Sequence, residues 1–397
     1  MHIFLNGLGA SAGGGLTYIK NVLPHFSRAD VRTTVAISAN FDAGPHENVE
    51  YVHVPAATRV ARRMWFEQRE LPKLIRNCGA DLLISAGNFA LRRSPVPQIL
   101  LSRNSLYTSR EFSRDLITRP EYRMWLDTKI KAALAKKSTH WADCTVAPSE
   151  AFAKDLRTWT RQPAVSIHHG FDPEVFTANQ QPLPEKLRTK LEAPPGTLRV
   201  LLVSHYNYYR NFETVFRGIA NLAGQWGFPS VRLFLTCELK KETTPGAYNP
   251  ASAATLIQRL GIREQVVEIG AVPYEQLHHV YRACDIFVTA AYTETFAHPL
   301  VEAMSCGLPV VASDLAVHRE ICRDAALYFP PFSPDDLAAQ VAQLANSENL
   351  RRTLAASGRD RLRAFSWRAH VEHLLAIGEQ LLARAGIVPR AQSLSAA

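Results

Sequence analysis

Residues 285–314 read DIFVTAAYTETFAHPLVEAMSCGLPVVASD. Asp285–Thr289 is a short apolar run suited to a buried strand, and Pro309–Ala312 is another. Between them, the segment that carries Glu302 continues as a helical pattern through Ala303 and Met304 and stops at Gly307-Leu-Pro309. Strand, helix, strand at this spacing is one unit of a parallel α/β sheet. It also puts Glu294 in the crevice just past a strand's C-terminal end, with Glu302 about two helical turns further on. Ligands of open α/β sheets bind in that crevice. A solvated glutamate and a helix-face glutamate are the plain alternative, but Glu302 sits in Pro-Leu-Val-Glu-Ala-Met, where an unpaired carboxylate is costly.

The same alternation extends in both directions. Downstream lies Ala325–Phe329, and upstream lie Leu198–Val203, Val231–Thr236 and Val266–Ile269. An earlier series comprises Ile3–Leu5, Thr34–Ser38, Val49–Val54, Asp81–Ser85, Gln98–Ser102, Thr145–Ala147 and Ala164–Ile167. The polar, proline-rich stretch Thr177–Gly196 separates the two series and reads as a linker. The expected organisation is therefore a first α/β domain over 1–176, a linker over 177–196 and a second over 197–364. An amphipathic helix within 365–390 and a tail over 391–397 follow. Two doubly wound, Rossmann-like domains in tandem are the simplest architecture.

Composition narrows the class. A chain of 397 residues that is 47% hydrophobic and 20% charged is globular, neither disordered nor fibrous. The net charge of +9 is lopsided, with 23 basic against 16 acidic residues up to residue 176 and 22 against 20 beyond it. Such a surplus favours anionic partners: phosphate, an anionic membrane surface or nucleic acid. The six cysteines are scattered without a CxxC pair, which fits a reducing, cytoplasmic setting. The opening Met-His-Ile-Phe-Leu-Asn-Gly has no charged n-region and does not read as a signal peptide. No stretch approaches the roughly 20 apolar residues of a membrane span.

The first glycine loop contains Gly7-x-Gly9-x-x-Ala12 after a strand and before a helix, formally a dinucleotide fingerprint. The acidic residue that should close the second strand is missing: Asn40 follows, and Asp42 is late. The loop still suits a phosphate at a helix N-terminus, or a tight turn packing strand on helix.

Glu294-x7-Glu302, within ETFAHPLVEAMSCGLPVVASD, resembles the E-x7-E signature of the family 4 retaining glycosyltransferases. Other segments agree in order. Gly14-Gly15 resembles that family's N-terminal glycine pair, and Val203–Asn211 its diphosphate-binding Arg-x4-Lys segment. Ile269–Pro273 resembles the turn whose backbone meets the nucleotide base, and Phe365-Ser-Trp367 the start of a helix returning to the first domain.

The resemblance implies the GT-B fold, two Rossmann-like domains facing across a cleft, and a nucleotide diphosphate sugar, UDP- or GDP-linked, as donor substrate. By position it implies that Glu294 holds donor-sugar hydroxyls and Glu302 the ribose. Backbone groups of Thr295, Phe296, Ala297 and Val272 would meet the rest of the donor. Arg210 and His205 would meet the diphosphate, standing where the family usually has Lys and Arg. Arg210 binds phosphate bidentately, whereas His205 is not cationic by default at neutral pH. Ala297 stands where the family usually has glycine, which puts the donor sugar in question.

No Asp-x-Asp triplet offers a metal–diphosphate site, so no metal and no cofactor are expected. Arg103 and Asn104, just past the strand Gln98–Ser102, are candidates for the acceptor side. The acceptor would be a hydroxyl compound, phosphate-bearing or lipid-linked, such as a cell-envelope glycan precursor. His168-His169 lacks a third ligand and reads as a packed turn rather than a metal pair. Arg59–Arg76 mixes six cations with Met64, Trp65, Phe66, Leu71, Leu74 and Ile75. It reads either as a helix lying on an anionic membrane or as a covering helix broken at Pro72. The rival functions are an NAD(P)-dependent oxidoreductase using the Gly7 loop and a basic nucleic-acid-binding protein, the latter without a recognisable binding motif.

Overall fold

The computed structural model describes residues 1–9, 14–28, 30–39, 41, 44–55, 60–240 and 247–387. Ala12, Asn40, Asp42, Arg59 and the tail 391–397 lie outside the described residues. The chain divides into two units. One contains Met1–Thr108, Leu126–Gly170 and the chain from Ser366 onward, and the other Ser109–Trp125 and Phe171–Phe365.

In the first unit, β1 (His2–Asn6), β2 (Arg32–Ser38), β3 (Val49–Val54), β4 (Leu82–Ser85), β5 (Gln98–Leu101), β6 (Cys144–Ala147) and β7 (Val165–Ser166) form a parallel sheet. Its strand order is β3-β2-β1-β4-β5-β6-β7. Successive side chains of a strand point to opposite faces, and both faces of β1 are buried. Ile3 and Leu5 pack with Tyr18, Ile19, Val371 and Leu374, while Phe4 packs with Leu71, Ile75 and Leu83. This double burial is why the strands read as continuous apolar runs.

The C-terminal helix Trp367–Arg384 is capped by Ser366, whose Oγ accepts from Ala369 N at 3.2 Å. It belongs to the first unit, covering one face of its sheet. The Arg59–Arg76 region forms two helices, Val60–Arg69 and Leu71–Cys78, with Pro72 in the opening turn of the second. Leu71 and Ile75 are buried against the sheet, Phe66 and Leu74 partly so, which is the covering-helix arrangement. Trp65 is left 61% exposed.

In the second unit, β8 (Arg199–Leu202), β9 (Arg232–Leu235), β10 (Val266–Glu268), β11 (Ile286–Thr289), β12 (Val310–Ser313) and β13 (Ala326–Phe329) are again all parallel. Their order, β10-β9-β8-β11-β12-β13, repeats the doubly wound pattern. The fold class is thus two tandem Rossmann-like units, each with its own core.

Two segments depart from the expected organisation. The stretch read as a linker, 177–196, contains the helix Glu185–Lys190 and belongs with the second unit. Lys190 Nζ donates to the carbonyls of Glu268 (2.8 Å) and Ile269 (3.2 Å), tying it to the end of β10. Ser109–Trp125, expected in the first domain, also belongs to the second unit. Its attachment is polar and long-range. Arg119 bonds Asp115 (2.7 Å) and Glu213 (2.8 Å), Tyr292 donates to Asp115 (2.8 Å), and Tyr208 donates to Glu121 (2.7 Å).

Candidate active site

In each unit the strand order reverses once, between β1 and β4 and between β8 and β11. The loops leaving the C-terminal ends of those paired strands frame the ligand crevice of such a sheet. In the first unit they are the Gly7 loop and Ala86–Asn88. A methyl at Gly9 would lie 2.8 Å from Gly87 Cα, so the two backbones meet at closest approach. Gly14 and Gly15 open the helix Gly14–Phe26 directly after this loop.

In the second unit the paired loops are Val203–Asn211 and Ala290–Ala297. Tyr292 N donates to Tyr209 O at 3.0 Å, joining them through the backbone. Ser313 Oγ donates to Ala291 O and ties the second loop to the end of β12. Across the seam Arg210 Nη1 pairs with Glu294 Oε1, the side chains being 18% and 10% exposed. The Arg210 guanidinium also lies 5.1 Å from the Tyr209 ring centre, while its Nε is sealed without a partner. Burial opposes the charge of Arg210, and the Glu294 carboxylate together with Tyr209 more than offsets it. The other Glu294 oxygen accepts from Thr295 N at 3.2 Å.

Glu302 is 4% exposed on the helix His298–Ser305, and Tyr281 donates to it at 2.8 Å. Burial raises its carboxyl to about 7, despite the opposing Tyr281 hydrogen bond and the charge of Arg210. Ala297 caps this helix at φ 65°, ψ 66°, in the left-handed region that costs an ordinary residue about 1–2 kcal/mol. Ala297→Gly is therefore expected to hold or raise the melting temperature, and Ala297→Val to lower it, as calorimetry would read.

The structure brings Arg210, Glu294 and Thr295 together. It leaves the His205 ring exposed and outside the pair, while the backbone carbonyl of that residue accepts from Ser204 and Asn207. Phe296 is buried against His298 and Phe365, which leaves its backbone as the part able to face a donor. Val272 sits half-buried in a turn that begins at Gly270, φ 87°. Asn104 Oδ1 accepts from Leu106 N at 3.1 Å and so caps a short turn. His169 packs on Tyr18 and Trp367, and no group of three metal-ligating side chains occurs among the described residues.

Sequence reasoning missed Tyr281, 21 positions before its partner, and Tyr209 and Tyr292, which join the two loops. The run Tyr206–Tyr209, three tyrosines in four residues beside a strand end, was the available signal.

Two doubly wound, all-parallel units in tandem are the architecture of the GT-B fold. The family model described as Glycosyltransferase Family 4 matches residues 12–175, and the one described as Glycosyl transferases group 1 matches residues 185–361. The chain belongs to the GT-B-fold glycosyltransferases and is consistent with family 4 among them.

The chain is 36% identical over 113 residues to the O-antigen chain mannosyltransferase B of Escherichia coli, covering 28% of this chain and 29% of that protein. It is 28% identical over 225 residues to the D-inositol 3-phosphate glycosyltransferase of Stackebrandtia nassauensis, covering 56% of this chain and 49% of that protein. The matched stretch thus spans less than half the length of each of these curated relatives. Among solved structures, sucrose-phosphate synthase from Thermosynechococcus elongatus superposes with TM-score 0.73 at 19% identity, covering 97% of this chain and 100% of that one. Anabaena HepE in complex with UDP-glucose gives 0.66 at 17% identity, covering 97% and 99%. These structural likenesses support the fold.

Proposed function

We propose that this protein is a metal-independent, retaining glycosyltransferase that moves a sugar from a UDP- or GDP-linked donor to a hydroxyl acceptor, a cell-envelope polysaccharide or lipid-linked glycan precursor. The observation that carries the reading is the Arg210–Glu294 pair on two loops at the switch point of the second unit. Arg210 then meets the diphosphate as negative charge grows on it, which is where a fixed cation lowers the barrier most. Glu294 accepts hydrogen bonds from donor-sugar hydroxyls. Arg210 and Glu294 neutralise each other, and a bound donor supplies a replacement partner to both. The bond from the anomeric carbon to the diphosphate oxygen breaks. The acceptor oxygen bonds to that carbon on the same face, and its proton passes to the departing diphosphate.

The first unit, with the larger basic excess, would supply the acceptor side through Arg103 and Asn104. Relatives named for an O-antigen chain and for D-inositol 3-phosphate support an envelope or phosphate-bearing acceptor. The setting is cytoplasmic, where exposed Trp65 on a basic helix would give peripheral contact with the inner membrane face. No described helix is long and apolar enough to cross a membrane.

Glu302 supplies a direct test through pH. Hydroxyls of a bound ribose donate to its carboxylate and favour the ionised form, so binding expels a proton wherever the free site is protonated. With the free carboxyl at about 7, nucleoside diphosphate affinity should fall as pH drops below that value and level off above it. Calorimetric titrations of UDP and GDP at several pH values would read this, and Glu302→Gln should flatten the profile. A wild-type profile with no inflection near neutrality would remove Glu302 from the nucleotide site.

A further inference from the structure

Among the described residues, Arg103 is a half-buried cation with no counter-charge. It follows β5 at the C-terminal edge of the first sheet, past strand ends that carry its crevice loops. Its backbone N–H donates to Asn88 Oδ1 (2.6 Å), its Nη2 donates to Ala86 O (2.6 Å), and its guanidinium lies 4.3 Å from the centre of the Tyr18 ring. Among the described residues no carboxylate pairs with it. Nε is sealed without a partner, whereas Nη1 is not sealed and has no hydrogen-bond partner among the described residues.

The support beneath Arg103 is rigid. His370 Nδ1 lies 2.8 Å from the carbonyl oxygen of His168 and must carry the proton there. Burial pushes this imidazole down to about 4, so the ring is neutral and its Nε2 is an acceptor. Tyr18 OH, 2.8 Å away, therefore donates to it, which fixes the ring on which Arg103 stacks. A cavity of about 10 Å³, lined by Arg103, Ile167, His169 and His370 among others, is at the lower limit for a single water. Water there satisfies a hydrogen bond but leaves the charge uncompensated. An arginine cannot escape the cost by deprotonating.

We propose that Arg103 is the anion-binding residue of the acceptor site and that it takes a phosphate group carried by the acceptor. This rests on the transferase reading and narrows its acceptor to phosphate-bearing compounds. A planar guanidinium with a free nitrogen at a strand end matches phosphate geometry. The Tyr18–His370–His168 chain makes Arg103 a prepositioned donor rather than a mobile surface cation.

The test uses inorganic phosphate as probe, on the full chain already saturated with UDP or GDP so that the nucleotide's own diphosphate site is filled. Phosphate should then give a further, saturable rise in melting temperature. Arg103→Gln should weaken it by about tenfold or more, and Arg103→Lys by less. UDP and GDP affinity should be unchanged in both variants. Without ligand, Arg103→Gln should not melt appreciably lower than wild type, since it removes an uncompensated charge that offsets the lost bond to Ala86 O.

If the phosphate effect survives in Arg103→Gln, or is absent from the wild type, the proposal is overturned. A loss of nucleotide affinity parallel to that of phosphate would assign Arg103 to the donor, which also overturns it. If neither UDP nor GDP binds the wild type, the transferase reading fails instead, and phosphate titration of the free protein still tests the anion site.

Discussion

Glu294→Ala is expected to lower kcat/KM for the nucleotide-sugar donor by about a thousandfold or more, and Arg210→Ala by at least about a hundredfold. The two side chains close the seam between the loops after β8 and β11, and they share one ion pair. Either truncation strands the opposite charge in a mostly buried position, so each single variant should also lose stability. The combined Arg210→Met and Glu294→Gln variant separates the two effects. It removes both charges, should recover much of the stability lost by either single truncation, and should stay inactive. Calorimetry beside steady-state kinetics on the three variants would read this. Near-normal turnover in either alanine variant would remove the pair from the chemistry.

The largest stability effect is expected at Gly170. A methyl there would lie 2.0 Å from Trp367 N and 2.4 Å from Trp367 Cα, contacts that backbone movement alone can relieve. Gly170→Ala should therefore lift the start of the helix Trp367–Arg384 from the first unit and cost about 3 kcal/mol or more, at the upper end for overpacking. The melting temperature of that unit would fall by several degrees. Gly378→Ala, where a methyl would lie 2.5 Å from Leu82 Cδ2, should cost less because the obstacle is a side-chain tip. Equal melting temperatures for wild type and Gly170→Ala would show that this helix does not pack as described.

The sheets were legible because both faces of each are covered. Ile3–Leu5 and Ala325–Phe329 read as uninterrupted apolar runs and fall within a residue or two of β1 and β13. Glu302 was legible for a related reason, as a carboxylate in an apolar frame. The glycine expected at Ala297 has a physical basis in the left-handed backbone found there.

What the sequence did not disclose were polar links between distant positions. Asp115, Arg119 and Glu121 look like ordinary helix-surface charges until their bonds to Tyr292, Glu213 and Tyr208 place Ser109–Trp125 in the second unit. Lys190 likewise joins a proline-rich stretch to the end of β10, with no periodicity to announce it. Arg103 was legible as a position past a strand end, but its lack of a counter-charge was not.

The central claim, that the second unit binds a nucleotide diphosphate sugar and the protein transfers its sugar, is tested most directly by a turnover screen. The purified protein is offered UDP- and GDP-sugars, with NADH and NADPH as controls, and the anomeric configuration of released or transferred sugar is followed by NMR. At least one nucleotide sugar should be consumed with retained configuration, without added metal, and that turnover should be lost in Glu294→Ala. Tight binding of NADH or NADPH with no binding or turnover of any nucleotide sugar would contradict it.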